Sequence, residues 1–493
     1  MAIAELSMSP QFDNSYARLP DRFFVRQAPV PVADPALIRI NRPLANKLGI
    51  DPEWLESEQG VNVVAGNRIP EGADPIATVY AGHQFGSWNP RLGDGRAILL
   101  GEVIGSDGER YDLQLKGSGI TPFSRMGDGR APLGPVIREY LVSEAMAALG
   151  VPTSRTLAAV TTGESVFRET RLDGSVLLRV AKSHIRIGTL QYFASKQDID
   201  ALRQLVDHVI ARHYPDAAEA DNPVRAMFEQ VLVRQAELIA RWQTLGFIHG
   251  VMNTDNMLLS GETIDYGPCA FMDAYDSAAV YSSIDHGGRY AYRNQPGIAH
   301  WNLACLAQTL LPLLAEDEEK ATGIAQTALD GFPELYAEAY FGRLREKFGL
   351  AATEAGDADL IQDFLDLMES GRIDFTLAFR RLADLAGEVS EIEALFDFPE
   401  SFAAWLARWR ERCGRDSIDA DERHRRMTAV NPAFIARNHL VEEAIARAYE
   451  GDFASFDRLL ERLGKPFDYS PEDALLATPP RPEQIVQQTF CGT

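Results

Sequence analysis

HGVMNTDNMLLSGETIDYG, residues 249–267, is the most informative segment of the chain. It follows an apolar stripe at helical spacing, Val231, Leu232, Leu238, Ile239, Trp242 and Leu245, which stops at Gly246. It holds Asp255 next to Asn256 and, nine residues after that Asn, Asp265-Tyr266-Gly267. The Asn256 amide oxygen and the Asp265 carboxylate are hard donors that suit Mg²⁺. Asp255 beside them is a candidate proton acceptor. Taken singly these residues make ordinary turns and caps. Their order along the chain is what carries information.

A protein kinase has His-Arg-Asp, four residues, then Asn, and further on Asp-Phe-Gly. With His249 on the kinase His, Asn256 falls on the kinase Asn, and Asp265-Tyr266-Gly267 replaces Asp-Phe-Gly. The kinase Asp falls on Val251, which accepts no proton, while Asp255 sits four residues later. Upstream, GDGRAILLGEV (93–103) and GERYDLQLKG (108–117) predict two strands around the turn GSDG. In the second, Tyr111, Leu113 and Leu115 alternate with Asp112, Gln114 and Lys116, so one face is apolar and the other presents Lys116. Glu139 lies 23 residues on, near the start of the next predicted helix, where the partner of a phosphate-binding Lys belongs. Gly93-Asp94-Gly95 takes the place of the Gly-rich loop. A carboxylate at Asp94 would repel a triphosphate, so either the loop does not cover the phosphates or the nucleotide lies differently.

The rest of the chain sets bounds. Its 493 residues suggest about three domain-sized units, or one large core with additions. Apolar residues are 46% and charged residues 24%, which excludes global disorder. With 71 Asp+Glu against 48 Lys+Arg the net charge is −23, and such a surface repels nucleic-acid backbones. Four scattered cysteines make neither a disulfide scaffold nor a zinc cage. No apolar run reaches the roughly 20 residues of a membrane span, and the N-terminus has no signal-peptide pattern, so a cytoplasmic location without membrane contact is expected.

Strands come first and helices afterwards, which predicts an α+β protein in two lobes. Residues 1–74 are an irregular extension packing on the core, with a helical candidate at 35–48. Residues 75–198 form the strand-containing N-lobe, with a helix at 136–149 and strands at 155–164 and 175–183. Residues 199–330 form the mostly helical C-lobe with the catalytic and metal-binding loops, its last helix resuming at 302–315. Residues 331–493 form a helical extension ending in a Cys-containing tail. The pentapeptide GDGRA occurs at 93–97 and again at 127–131; bare backbone N–H groups in such turns can meet phosphate, although Asp-Gly also makes simple turns.

YAGHQFGSWNPRLGDGRA (80–97), LQLKGSGITPFSRMGDGRAPLGPVIREYLVSEAM (113–146) and HGVMNTDNM (249–257) closely resemble the selenoprotein O (SelO) family. The resemblance implies a protein-kinase-like fold that transfers AMP from ATP to Ser, Thr or Tyr hydroxyls of protein substrates, releasing pyrophosphate. ATP would lie flipped, its α-phosphate facing the acceptor. By this resemblance Lys116 binds phosphate and is held by Glu139; Gly93, Gly95, Arg96, Asp128 and Gly129 are nucleotide contacts; and Arg179 and Arg186 meet the flipped nucleotide. Asp255 is then the base, and Asn256 and Asp265 hold Mg²⁺, with Mn²⁺ the alternative ion. Expelling pyrophosphate needs cations, which two arginines and a lysine supply. Cys491 resembles a redox-active tail position of the family, with Cys269 a candidate partner. Two competing readings are a conventional kinase with a displaced base and an inactive nucleotide-binding scaffold.

Overall fold

The computed structural model describes residues 9–490. In chain order its first strands are β1 (Phe24–Arg26), β2 (Ala36–Ile40), β3 (Ile76–Thr78), β4 (Gly82–Gln84), β5 (Ser87–Asn89), β6 (Ala97–Ile104), β7 (Arg110–Lys116), β8 (Ala131–Pro132), β9 (Arg155–Phe167) and β10 (Arg171–Ala181). Seven of them form an antiparallel sheet in the order β1-β3-β6-β7-β10-β9-β2, with β8 paired to β10; β4 and β5 make a separate hairpin. The expected pair around GSDG is β6–β7, with Ala97 opposite Lys116. On the other side Leu177 faces Lys116 and Arg179 faces Gln114. Directly opposed side chains share a sheet face. Lys116 and Arg179 therefore emerge on the same side.

The N-terminal segment supplies both edges of this sheet. The helix expected at 35–48 is instead strand β2, the capping residue Asn41, and a short helix α1 (Arg42–Lys47). Asn41 accepts from Leu44 N–H at 3.1 Å. Helix propensities differ by less than about 1 kcal/mol per residue. Pairing with β9 and burial of Ile40, worth roughly 1.5–3 kcal/mol, outweigh them. Helices α2 (Pro52–Glu56) and α3 (Glu58–Val64) follow, and Leu44, Leu55, Val61 and Val64 cover the sheet face that carries Leu113, Leu115 and Leu178.

Helix α4 (Leu133–Ala148) covers the other face with Val136, Ile137, Leu141 and Met146. The polar side of β7 is consequently buried: Asp112, Gln114 and Lys116 are all shielded from solvent. Asp112 survives there by accepting from Arg212 at 2.5 Å and from His184 N–H at 2.8 Å.

Downstream lie α5 (Ile187–Ser195), α6 (Ile199–His213), α7 (Pro223–Leu245), the short pair β11 (Phe247–Ile248) and β12 (Ala270–Phe271), α8 (Gln295–Leu314), α9 (Glu318–Asp330) and α10 (Phe332–Lys347). Helix α7 carries the apolar stripe seen in the sequence, is capped by Asn222, and ends where Gly246 adopts φ 69°. Helix α8 starts at Gln295, ahead of the expected 302, because Pro296 fits its first turn. Then come α11 (Asp357–Gly371), α12 (Phe375–Ala386), α13 (Ala403–Cys413), α14 (Ala420–Thr428), α15 (Asn438–Tyr449) and α16 (Ala454–Leu463). Phe348, Phe364, Phe379, Trp405 and Trp409 build a second core there. Helices α15 and α16 turn back onto α4. No helix among the described residues is long and apolar enough to cross a membrane.

Candidate active site

The sheet face under α4 gathers charge. Glu139 of α4 pairs with Lys116 and also accepts from Arg179 Nε at 2.7 Å. Asp265 Oδ1 lies 2.9 Å from Arg179 Nη2 and 3.8 Å from Lys116 Nζ. Two carboxylates thus alternate with two cations. Burial pushes the Glu139 carboxyl up, but Arg179 and Lys116 outweigh it and hold the group below its usual range. Burial acts on Asp265 in the same sense, and Arg179, Lys116 and Arg186 overcome it by a wide margin, so Asp265 stays ionised. Burial lowers the Lys116 ammonium, with Glu139 opposing. Asp265 also sits at φ 65°, a strained conformation for a residue with a side chain and one often kept for function.

Arg186 follows β10 just before α5. Its guanidinium lies 4.2 Å from the Tyr80 ring centroid and 3.4 Å from Asp94 Oδ1. Asp94 Oδ2 accepts from Thr78 N–H at 3.0 Å and from its hydroxyl at 2.6 Å. The carboxylate that looked hostile to phosphate lines the cleft, but Thr78 occupies one of its oxygens and Arg186 balances its charge.

The segment around Asp255 is a single 3₁₀ turn, Thr254–Asn256. The β4–β5 hairpin docks on it: His83 N–H donates to Thr254 Oγ1 at 2.8 Å and Phe85 N–H to Asn253 Oδ1 at 3.0 Å. Gln84 Nε2 donates to Asp255 Oδ2 at 3.2 Å, while Asp255 Oδ1 is buried without a hydrogen-bond partner. The approach is so close that a Cβ on Gly82 would stand 2.6 Å from Asp255 Oδ1. Burial raises the Asp255 carboxyl to about 6. Asn256 Nδ2 donates to Val251 O at 3.0 Å, which leaves its amide oxygen as the available donor atom for a cation. His249, used above only to set the alignment, is structural: its Nδ1 accepts from Val251 N–H at 3.3 Å, so its Nε2–H donates to Ile264 O at 2.8 Å. It ties the Asp255 loop to the Asp265 segment.

A cleft of about 380 Å³ runs between these groups, lined by Gly95, Arg96, Lys116, Arg179, Arg186, Asp255, Asn256 and Asp265. Glu139 stands behind it. Gly93, Asp128 and Gly129 are not on its wall. Gly93 is a close-packing position, where a Cβ would meet Phe123. Asp128 pairs with Arg168 at 2.9 Å and accepts from Arg130 N–H, and Gly129 turns the chain at φ 68°. The loop bearing this second GDGR reaches the cleft through Arg125 instead. Sequence reasoning also passed over Tyr80 and Gln84; both belong to YAGHQFG, which had entered only as a resemblance. A larger cavity of about 740 Å³ lies behind α4 among Ile40, Tyr140 and Leu460, and none of the candidate catalytic groups faces it.

The distal end of the chain meets this site. Arg138, next to Glu139, pairs with Glu442 of α15 and donates to Cys269 O at 3.4 Å. Gly134 N–H donates to the Tyr449 hydroxyl at 3.0 Å. Thr489 Oγ1 donates to Pro268 O at 2.6 Å. Cys269 is buried, and Cys491 lies outside the described residues.

Residues 6–464 match the family model described as Protein adenylyltransferase SelO. The chain is 60% identical over 486 residues to the Protein nucleotidyltransferase YdiU of Rhodopseudomonas palustris (strain BisB5), covering 98% of this chain and 99% of the relative. Identity to the protein of the same name from Bradyrhizobium diazoefficiens is 59% over 485 residues, again 98% and 99% of the two chains. For the one from Methylorubrum extorquens (strain PA1) it is 58% over 492 residues, with the same coverage.

Proposed function

The chain belongs to the protein adenylyltransferase SelO family, and we propose that its cleft moves AMP from ATP to a protein hydroxyl through the residues gathered there. Asp255 Oδ1 takes the proton of the acceptor hydroxyl. The hydroxyl oxygen attacks the α-phosphorus, the bond to the bridging oxygen of the β-phosphate breaks, and pyrophosphate leaves. A carboxyl titrating at about 6 is mostly ionised at neutral pH and still basic enough to take a proton. Gln84 donates to Oδ2 and so fixes the orientation of the carboxylate at the cleft wall.

Lys116, Arg179 and Arg186 neutralise the phosphates, and Arg forks match phosphate oxygens in pairs. Glu139 keeps Lys116 and Arg179 in register. The Asn256 amide oxygen and the ionised Asp265 fit a hard divalent cation, Mg²⁺ or Mn²⁺. Such an ion, held by Asn256 and Asp265, would supply positive charge to stabilise the leaving group. The order Lys116, Glu139, Asp255-Asn256, Asp265-Tyr266-Gly267 supports a protein-kinase-like arrangement. In it, 75–198 is the strand-bearing lobe and 199–330 the helical lobe, with 1–74 and 331–493 as extensions.

The observation that carries this reading is the cleft itself, which unites Asp255, Asn256 and Asp265 with three cations from the sheet side. Intact mass spectrometry of a protein acceptor incubated with enzyme, Mg²⁺ and ATP tests it. One AMP group is the expected mass gain, absent with Asp265→Ala. A gain of one phosphoryl group would make the enzyme a kinase with a displaced base. An Asp255→Ala enzyme that transfers AMP at the wild-type rate would remove Asp255 as the base.

A further inference from the structure

The acceptor hydroxyl has to reach Asp255 Oδ1, and the polypeptide carrying it has to pass the β4–β5 hairpin. The turn of that hairpin is tight: Phe85 sits at φ 52° and Gly86 at φ 82°. Arg289 closes over it, since a Cβ on Gly86 would lie 3.5 Å from Arg289 Cζ. Gln84, two residues back, is the residue that holds Asp255. Arg289 therefore stands beside the element that aims the base.

Its surroundings leave its charge available. The guanidinium lies 4.7 Å from the Trp301 ring centroid, and Nε is buried without a hydrogen-bond partner. Asp285, the carboxylate of its own loop, is engaged by the backbone N–H groups of Arg289 and Tyr290 at 2.9 and 2.8 Å. Arg293 is exposed and shares with Arg289 a surface depression of about 450 Å³. Among the described residues neither guanidinium forms an ion pair. Ile284, 52% exposed on the cleft wall, adds apolar surface for the same segment.

We propose that Arg289 and Arg293 dock an acidic stretch of the protein substrate, so that hydroxyls with Asp or Glu a few residues away are the preferred AMP acceptors. This rests on the adenylyl-transfer reading above and names its substrate class. Gln84 touches Asp255 and Gly86, two residues on, touches Arg289, so an extended segment at about 3.3–3.6 Å per residue can place a hydroxyl at one and an acidic side chain a few positions away at the other. The net charge of −23 does not forbid it. Repulsion from distant carboxylates is screened over about 8 Å at physiological salt, whereas a contacting Arg–carboxylate fork is not. Contact with the Trp301 ring restrains the guanidinium before a substrate arrives, so less side-chain entropy is lost on docking.

The test uses the full-length enzyme with Mg²⁺ and ATP. Synthetic peptides carry one central Ser, Thr or Tyr flanked by either Glu or Lys, beside a folded protein acceptor. The wild type is expected to favour Glu flanks in kcat/KM by about fivefold or more, the effect of two partly shielded ion pairs. The preference should shrink as salt rises. The double variant Arg289→Glu with Arg293→Glu should reverse it while leaving the KM for ATP unchanged. Arg289→Lys with Arg293→Lys keeps the charge and should keep the sign of the preference, which controls for misfolding. Equal kcat/KM for both flanks in the wild type overturns the proposal, as does a preference that survives charge reversal. AMP on the folded acceptor but on no peptide also overturns it. Absence of AMP on every acceptor would instead overturn the adenylyl-transfer reading.

Discussion

Replacing Asp255 by Asn should make the protein more stable while abolishing transfer. In the fold the Asp255 carboxyl titrates at about 6, against a model-peptide value of 3.8, because burial disfavours its charged form. Between those two values the folded state binds the extra proton. Stability is therefore unaffected by this group below about pH 4, falls as pH rises through the window, and levels off above about pH 6. Two pKa units correspond to about 3 kcal/mol at neutral pH. Near pH 5.5 the penalty is only about 2 kcal/mol, because the folded carboxyl is then mostly protonated. Asn has the same shape and no charge, and the Gln84 amide can turn to meet it. Chemical denaturation of wild type and Asp255→Asn, without nucleotide or metal, should show the variant ahead by about 3 kcal/mol near pH 8, narrowing by about 1 kcal/mol near pH 5.5. A variant less stable than wild type near pH 8, or a gap that does not narrow, would refute the idea that the fold strains this carboxylate.

Three further outcomes follow from the geometry. The single-turnover transfer rate should rise with pH through about 6 and then plateau, since only the ionised Asp255 takes a proton; a profile flat from pH 5 to 8 would speak against it. Glu442→Ala frees Arg138 and loosens the seat of Glu139, so the KM for ATP should rise about tenfold with a smaller change in kcat; an unchanged KM would mean the pair is ornamental. Gly82→Ala pushes a methyl against Asp255 Oδ1, and transfer should fall at least about 100-fold with nucleotide binding kept, as equilibrium ATP titration would show.

Much of this molecule could be read locally. The alternation in 110–116 carried both the strand and the emergence of Lys116, and helical periodicity with Gly246 delimited α7. Features that depend on distant partners could not be read that way. Strand β2 looked helical because its partner β9 lies far along the chain. Asp94 looked like a repellent to phosphate until Thr78 and Arg186 were seen beside it. The two GDGR copies look alike, yet the second engages its Asp128 with Arg168, a partner 40 residues further along the chain that its own letters do not announce. The β4–β5 hairpin has only three residues per strand and owes its shape to Asn253 and Thr254, so nothing in its own letters announces Gln84 as the partner of Asp255.

The supports of the site are synthesised last. Every candidate catalytic group has been synthesised by residue 265, but the helix beneath Glu139 awaits Glu442 and Tyr449, and the loop after Asp265 awaits Thr489. A nascent chain, or one trimmed from its distal end, can thus contain the full chemical apparatus and still be idle.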